Sequence, residues 1–290
     1  MRGRGVERIE VALADSTTAG VELHEELTST NEVMRARFVD DRERFAPFHT
    51  IVAFSQTAGR GRLDREWVAP DDSAIAISTY LEFDAAAART SIGWVALAAG
   101  VALREALLEL AAAQSPGLAE DVAGRIAIKW PNDLLVDGRK VSGILGELLG
   151  VVDGGARFAC VLGAGINLRT PEQGLAFPHA IALDEAGIRP ERDALIGAFL
   201  RGFAARIRAL DEAGGDASAT GLRGELERHC TTIGLEVRVT RPQDADLVGV
   251  ATGVDGTGAL LVRGADGQVH PINVGDIEHV RPVVKPEEGE

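Results

Sequence analysis

The stretch RIAIKWPNDLLVDGRKVSGILGELL, residues 125–149, contains consecutive strand signals and indicates a fold built around a β-sheet. Its apolar runs predict strands at 125–130, 133–136 and 140–149. Pro131 ends the first run, and Asn132-Asp133 favours a turn before the second. Asp137-Gly138 is a strong hairpin signal, so the last two strands should pair antiparallel. That pairing would place Lys140 beside the turn, as a cation on a rigid strand.

The rest of the first 232 residues mixes strand and helix signals. Further strands are predicted at 21–28, 50–54, 74–83 and 157–165. Helices are predicted at 92–110, 192–210 and 222–230, and another begins after Ser29, where Ser29-Thr-Asn-Glu32 fits a capping box. Residues 111–120, which contain Ser115-Pro-Gly117, are predicted to form a loop. The sequence therefore predicts an α+β fold, a mixed sheet with helices.

The pattern changes after Gly234. Short strands are predicted at 235–240, 247–252, 259–263, 269–273 and 277–280, with Asp255-Gly256 and Asp266-Gly267 as turns. Such closely spaced strands are typical of a small barrel. We expect a catalytic domain at residues 1–232, an SH3-like β-barrel at 233–282 and a disordered, charged tail at 283–290.

Composition and charge exclude several classes of protein. A formal net charge of −14 argues against a protein that coats nucleic acid, because phosphate binding needs a basic surface. No apolar run is long enough to span a bilayer, and the first residues lack the apolar region of a signal peptide. Cys160 and Cys230 lie far apart in apolar or helical patterns, which favours buried, reduced thiols over a zinc site. We expect a cytoplasmic protein that binds neither membrane nor nucleic acid.

The segment GRGRLDREW, residues 59–67, is the first candidate for chemistry. Gly59 and Gly61 let the backbone approach a ligand closely. The planar guanidinium groups of Arg60 and Arg62 match the oxygens of carboxylates and phosphates. Considered alone, however, the segment is better explained as a solvated turn. Likewise, core packing would account for Trp130, and turn capping for Asp133.

A second glycine segment, Gly163-Ala-Gly165-Ile-Asn167, has the first two glycines of a dinucleotide-binding fingerprint. The position of the third glycine is Leu168, so that fingerprint fails. The sequence also contains no Gly-x-x-x-x-Gly-Lys-Ser/Thr motif, which excludes P-loop chemistry.

Together and in this order, five motifs resemble the biotin protein ligase family. They are Ser29-Thr-Asn31, Gln56-Thr-Ala-Gly-Arg-Gly-Arg62 with Trp67, Lys129-Trp-Pro-Asn-Asp133, Lys140-Val-Ser-Gly143 and Gly163-Ala-Gly-Ile-Asn167. The resemblance runs from about residue 25 to residue 281. Each motif is weak alone, but their combination is highly specific.

The resemblance implies roles for individual residues. Those implied for biotin are Ser29, Thr30, Asn31, Gln56, Arg60, Gly61, Arg62, Lys140, Gly143, Gly163 and Gly165. Those implied for the nucleotide are Arg62, Trp67, Asn132 and Asn167, with Trp67 on the adenine side. Lys140, Arg62 and Arg60 would be the catalytic residues.

The resemblance also implies the reaction. Biotin and ATP would form biotinyl-5′-AMP, with Mg²⁺ on the ATP phosphates, although the sequence assigns no metal ligand. The biotin would then pass to a lysine of the biotin carboxyl carrier domain of acetyl-CoA or acyl-CoA carboxylase, or of pyruvate carboxylase. Because the two reacting anions repel each other by about 4 kcal/mol at ~4 Å, a cationic cluster is needed to offset that cost.

Two other functions remain open at this point. A lipoate or octanoate ligase-type acyltransferase would share the fold, but octanoyl transfer relies on a cysteine, and Cys160 lies in an apolar strand pattern. A non-catalytic biotin-binding regulator would keep Ser29-Thr-Asn31 without needing Lys140.

The sequence departs from the family pattern at two points. Asp64 stands where the family commonly has another glycine, which predicts slower reorganisation of the loop. In addition, only 28 residues precede Ser29, so we expect a monofunctional ligase without the DNA-binding domain of some family members.

Overall fold

The computed structural model describes residues 20–40, 46–63, 65–69, 73–175, 177–240, 245–273 and 279–282. The predictions for the first residues, for Asp64 and for the tail at 283–290 fall outside the described residues.

The helices are α1 (Thr30–Asp40), α2 (Ala88–Gln114), α3 (Pro116–Ala123), α4 (Arg192–Glu212) and α5 (Leu222–His229). The strands before α4 are β1 (Val21–His24), β2 (Thr50–Ala53), β3 (Gln56–Arg60), β4 (Glu66–Ala69), β5 (Ala74–Asp84), β6 (Ile126–Lys129), β7 (Asp133–Val136), β8 (Arg139–Val152) and β9 (Arg157–Asn167). Those after α5 are β10 (Glu236–Thr240), β11 (Leu247–Val254), β12 (Leu260–Gly264), β13 (Val269–Ile272) and β14 (His279–Pro282).

The predicted mixed sheet is confirmed as a seven-stranded sheet in the order β1-β2-β5-β9-β8-β7-β6. Strand β1 runs parallel to β2, and every other pair is antiparallel. The β7–β8 hairpin turns at Asp137 and Gly138, whose φ angles of 51° and 72° suit a type I′ turn. The hairpin predicted from Asp137-Gly138 is therefore confirmed.

Alternate residues of the central strands face different surroundings. On β5, Ile75, Ile77 and Leu81 join the main apolar core, to which α2 and α4 also contribute. Ser78 and Tyr80 point to the other face, where Ser78 contacts α1 and Tyr80 joins a smaller apolar cluster. This period of two assigns one face of the sheet to the core and leaves the other for α1 and a pocket.

The residues after 232 form a five-stranded antiparallel sheet in the order β13-β12-β11-β10-β14. This small sheet confirms the expected C-terminal SH3-like architecture, although the described residues contain no ladder between β13 and β14 that would close a barrel. The turn after β11 docks on the first part of the chain. Trp94 Nε1 donates to Gly256 O at 2.9 Å, and Trp130 Nε1 donates to Gly258 O at 3.1 Å.

Some local predictions were wrong or shifted. The loop expected at 111–120 is helical, because α2 continues to Gln114 and α3 begins at Pro116. Proline is well tolerated in the first turn of a helix, where its missing N–H has no helical partner to lose. The segment at 59–67 is a β3–β4 hairpin in which Gly59 pairs with Trp67. The strand expected at 277–280 starts, within the described residues, at His279.

Among the described residues, no helix is both long and apolar enough to cross a bilayer.

Candidate active site

A pocket lies on the face of the seven-stranded sheet opposite α2 and α4. Its floor consists of two rows of mainly small residues across β5, β9 and β8, which are Ser78, Gly163 and Leu145 in the first row and Ala76, Gly165 and Gly143 in the second. The rows are two residues apart along each strand, so they share one face. The rest of the lining includes Ser29, Thr30, Asn31, Gln56, Arg60 and Trp67.

Asn31 covers the first row. A Cβ added to Gly163 would lie 2.5 Å from Asn31 Oδ1, so only glycine admits the carboxamide there. Asn31 Oδ1 accepts a hydrogen bond from Ser78 Oγ at 2.6 Å. Asn31 Nδ2 donates to Glu147 Oε2 at 2.7 Å and to Leu145 O at 3.4 Å. The amide is buried, and its partners on both sides fix its orientation.

Thr30 and Gln56 form a second polar pair at this end. The backbone N–H of Thr30 donates to Gln56 Oε1 at 2.8 Å. The Thr30 hydroxyl lies 2.7 Å from Ser78 Oγ and donates to it, because Ser78 gives its own hydrogen to Asn31. Gln56 can therefore offer a ligand its Nε2 donors rather than its oxygen. Ser29, also buried, accepts a long N-cap hydrogen bond of 3.5 Å from Glu32 N, as the capping box predicts. This end of the pocket presents amide and hydroxyl groups.

Trp67 covers the second row. A Cβ on Gly165 would overlap the indole at Cε2, and a Cβ on Gly143 would lie 3.1 Å from Cζ3. Trp67 Nε1 is buried and has no hydrogen-bond partner among the described residues. An unsatisfied buried donor costs about 1–3 kcal/mol, so an oxygen atom of a ligand would be favoured there. The indole therefore lies in the middle of the pocket, and its contact with adenine stays a prediction.

Cations gather beyond the second row. Lys140 Nζ lies 2.6 Å from Asp133 Oδ1 and 5.9 Å from the centroid of the Trp67 ring. The Lys140–Asp133 contact is an ion pair, but Asp133 Oδ1 makes no well-aligned hydrogen bond among the described residues. Burial lowers the pKa of the Arg62 guanidinium below its usual value, and the nearby Asp133 carboxylate opposes that shift. Lys140 lies beside the 132–133 turn, as the hairpin signal predicts.

Arg60 lies on the outer side of the pocket. Its Nη2 forms a 2.7 Å ion pair with Glu32 Oε1 in the first turn of α1, and just over half of the side chain is exposed. In the same hairpin, Gly61 N donates to Arg65 O at 2.6 Å. A Cβ on Gly61 would find room, whereas one on Gly59 would overlap Trp67 O. The close approach that requires glycine in this hairpin is therefore at Gly59.

Asn132 and Asn167 use their amides to hold the backbone. Asn132 Nδ2 donates to Ile144 O at 2.9 Å, and Asn167 Nδ2 donates to Ile181 O at 3.2 Å. Both contacts position strands and connections around the pocket. Their assignment to the nucleotide stays a prediction.

Sequence reasoning missed Ser78, Glu147 and Arg35. Arg35 Nη2 lies 2.6 Å from Glu147 Oε1, which completes a chain of polar contacts from Ser78 through Asn31 to the surface. A serine in the apolar strand 74–83 was the available signal.

The chemistry of the whole pocket runs from neutral hydrogen-bonding groups, across an indole on glycines, to cations. That order suits a ligand with a polar ring at one end and an anionic group at the other.

Comparisons with known proteins agree with this geometry. The model of the biotin/lipoate A/B protein ligase family matches residues 27–167, and that of the biotin protein ligase C terminal domain matches residues 232–280. The biotin--[acetyl-CoA-carboxylase] ligase of Mycobacterium tuberculosis is 32% identical over 233 residues, 80% of this chain and 79% of the relative. The bifunctional ligase/repressor BirA of Escherichia coli is 31% identical over 258 residues, 87% of this chain and 71% of the relative.

Solved structures give the same fold. The biotin protein ligase from Aquifex aeolicus in complex with biotin and ATP superimposes with a TM-score of 0.68, at 21% identity, over 91% of this chain and all of that chain. At that identity the likeness supports the fold alone. The two family models, together with relatives above 30% identity over most of both chains, show that this chain belongs to the biotin protein ligase family.

Proposed function

We propose that this chain activates biotin with ATP as biotinyl-5′-AMP and transfers the biotin to a lysine of an acceptor protein. The single observation that carries this proposal is one pocket lined by the neutral amides of Asn31 and Gln56, with the Lys140 ammonium next to its lining residue Gly143. Biotin has the complementary order of a ureido ring, an aliphatic chain and a carboxylate. The curated relatives support this function, since they are named biotin--[acetyl-CoA-carboxylase] ligases or bifunctional ligase/repressors.

The neutral end would bind the ureido ring. A ureido group carries one carbonyl acceptor and two N–H donors. Gln56 Nε2 and the Ser29 hydroxyl can donate to the carbonyl, while Asn31 Oδ1 can accept from an N–H. The aliphatic chain would lead from this ring toward Lys140, and the Trp67 indole, which fills the space over Gly165 in this structure, would have to move to admit it.

The cationic end would promote formation of the adenylate. An oxygen of the biotin carboxylate attacks the α-phosphorus of ATP, and pyrophosphate leaves. Lys140, Arg62 and Arg60 offset the repulsion between the two anions, which is about 4 kcal/mol at ~4 Å and an effective dielectric constant near 20. Lys140 can turn from Asp133 to the reacting oxygens. Trp67 Nε1 adds a donor that has no partner among the described residues.

Mg²⁺ would enter with ATP, held mainly by phosphate oxygens, as is usual for nucleotide sites. Asp133 is the carboxylate that would lie beside those phosphates, because it already contacts Lys140. When bound, the ion supplies positive charge to the phosphates.

In the second half-reaction the acceptor lysine amine attacks the acyl carbon of the mixed anhydride, and AMP leaves. The acceptor that best fits this reaction is a biotin carboxyl carrier domain, of acetyl-CoA or acyl-CoA carboxylase or of pyruvate carboxylase. The name of the Mycobacterium tuberculosis relative, a biotin--[acetyl-CoA-carboxylase] ligase, supports the first of these acceptors. We place the reaction in the cytoplasm, where ATP and reduced thiols occur together. The chemistry would reside in residues 1–232, with 233–282 as an accessory domain.

A cysteine-dependent acyltransferase is not supported. Cys160, on β9, belongs to the apolar core, and burial raises the pKa of its thiol to about 12. Such a thiol carries almost no thiolate at neutral pH and faces away from the pocket. A non-catalytic biotin-binding regulator would have no use for the cluster of Lys140, Arg62 and Asp133.

The test of this function is biotin transfer to a purified carboxyl carrier domain, detected by mass spectrometry of the acceptor lysine. We expect a mass increase of one biotinyl group that depends on both ATP and biotin, and none with lipoate. Transfer of lipoate in place of biotin, or no transfer to any carrier domain, would contradict the proposal.

A further inference from the structure

The buried Asn31 carboxamide has a fully determined orientation. Glu147, as a carboxylate, and the carbonyl of Leu145 can only accept hydrogen bonds, so Asn31 Nδ2 must face them. Those two contacts use both hydrogens of the amide nitrogen. The amide oxygen accepts from Ser78 Oγ at 2.6 Å and keeps a second lone pair. Asn31 can therefore offer a ligand only an acceptor.

The sheet register builds this arrangement. Ser78, Gly163 and Leu145 are aligned across β5, β9 and β8, and the amide plane lies over the central glycine. Glu147 lies two residues after Leu145 on β8, so it projects from the same face. Its carboxylate is held on its other oxygen by Arg35 Nη2 at 2.6 Å. Three strands and α1 thus converge on one amide.

We propose that Glu147, held by Arg35, is a positioning residue that keeps Asn31 Oδ1 directed at the pocket and so makes this end select a ligand N–H. The inference rests on the proposed function, in which that N–H belongs to the ureido ring of biotin. Glu147 need not touch the substrate. It acts through Asn31, because a carboxylate cannot donate a hydrogen bond to a reversed amide.

The substitution Glu147→Gln tests this role, because a glutamine amide can donate as well as accept. It would let Asn31 turn its Nδ2 toward the pocket, where a donor would oppose the ureido N–H. We expect the KM for biotin in ATP–pyrophosphate exchange to rise about tenfold, which is the size of one hydrogen bond, with kcat within about twofold. Glu185→Gln removes a carboxylate charge at an exposed ion pair with Arg139, and serves as the matched control.

Biotin analogues give the readout that simple structural damage would not move. Two analogues are each methylated on one ureido nitrogen, and dethiobiotin keeps both N–H groups. We expect Glu147→Gln to raise the KM for biotin and dethiobiotin in parallel. One of the two methylated analogues lacks the N–H that Asn31 Oδ1 accepts. For that analogue, the ratio of its KM to the KM for biotin should be about tenfold smaller in the variant than in the parent, because the variant no longer directs an acceptor at that N–H. An equal rise for every analogue, or no rise for biotin, would overturn the proposal.

Arg35→Gln provides a second variant in case Glu147→Gln does not fold. The Arg35 side chain is 44% exposed, so the fold should tolerate its loss. It should raise the KM for biotin in the same direction by about two- to threefold, as expected for a partly exposed ion pair. An unchanged KM would contradict the role assigned to the Arg35–Glu147 pair. Absence of biotin-dependent exchange in the parent would instead refute the proposed function, and direct calorimetric titration of the same analogues would still test the positioning role.

Discussion

The two faces of β9 differ in what adjacent residues contribute to the molecule. Leu162 and Ile166 are fully buried in the core that includes α2 and α4. Gly163 and Gly165, on the other face, support Asn31 and Trp67 in the pocket. One strand thus carries residues for stability and residues for function in alternation. Single substitutions one position apart on this strand should therefore separate loss of activity from loss of folding.

Among substitutions on β9, Gly165→Ala should cause the largest loss of activity. The added Cβ would overlap the Trp67 indole, so either the ring or the strand must move. Because Trp67 sits between the neutral and cationic ends, we expect kcat/KM for adenylate formation to fall by about a hundredfold, an effect typical of misplaced substrate-positioning groups. The melting temperature should stay within a few degrees. Steady-state kinetics and a thermal melt measure both.

Gly146→Ala is the control for that experiment. Gly146 lies on β8, and an added Cβ meets nothing within 4 Å. It should retain parental kinetics. If Gly165→Ala were as active as Gly146→Ala, Trp67 would not need its position over the glycine row.

Ile166→Ala should lower the stability of the fold and leave activity almost unchanged, the opposite of Gly165→Ala. Removing a fully buried side chain from the core face costs about 2–5 kcal/mol, through lost burial and the cavity left behind. The free energy of unfolding in urea should fall by that amount, with a clear drop in melting temperature. The KM for biotin should change less than twofold in protein that remains folded. A large change in KM with unchanged stability would contradict the division between the faces.

The core face was more predictable from the sequence than the pocket face. On β5 the core residues Ile75, Ile77 and Leu81 stand at alternate positions of the sequence, because apolar burial on one face of a strand leaves a pattern with a period of two. The contact between Lys140 and the 132–133 turn was also predictable, since a hairpin signal fixes local pairing.

The polar chain through Ser78, Asn31 and Glu147 could not be predicted in the same way. Asn31 and Glu147 are more than a hundred residues apart, and only the β5-β9-β8 register joins them. The position of Trp67 likewise depends on a hairpin that folds back over glycines of other strands. Motifs indicated which residues matter, but contacts between distant strands decide which atoms each residue presents.

Arg60→Ala should have an intermediate effect. Arg60 is mostly exposed and pairs with Glu32, so it holds the β3–β4 hairpin to α1 and adds a cation at the rim. We expect the KM for biotin to rise about fivefold, in line with the modest strength of exposed ion pairs plus one lost charge contact. Steady-state ATP–pyrophosphate exchange at varied biotin concentration would measure the change. An unaltered KM would remove Arg60 from the site.

Cys160→Ala should have the smallest effect on activity, because the thiol belongs to the core face. Burial raises its pKa to about 12, so its thiolate fraction at pH 8 is on the order of 10⁻⁴. Since only the thiolate reacts, alkylation by iodoacetamide should be very slow in the folded chain and should speed up as pH rises toward 12. A loss of activity in Cys160→Ala beyond its loss of stability would revive a cysteine-dependent acyl transfer.

The most direct test of the account is biotin-dependent ATP–pyrophosphate exchange in Lys140→Ala, compared with Arg139→Ala. Lys140 contacts Asp133 next to the pocket residue Gly143, whereas the neighbouring Arg139 pairs with Glu185 on the surface. We predict that Lys140→Ala lowers exchange by at least about a thousandfold, as expected when charge stabilisation at the reacting oxygens is lost, while Arg139→Ala stays near the parental rate. Exchange at the parental rate in Lys140→Ala would contradict the assignment of the cationic end of the pocket.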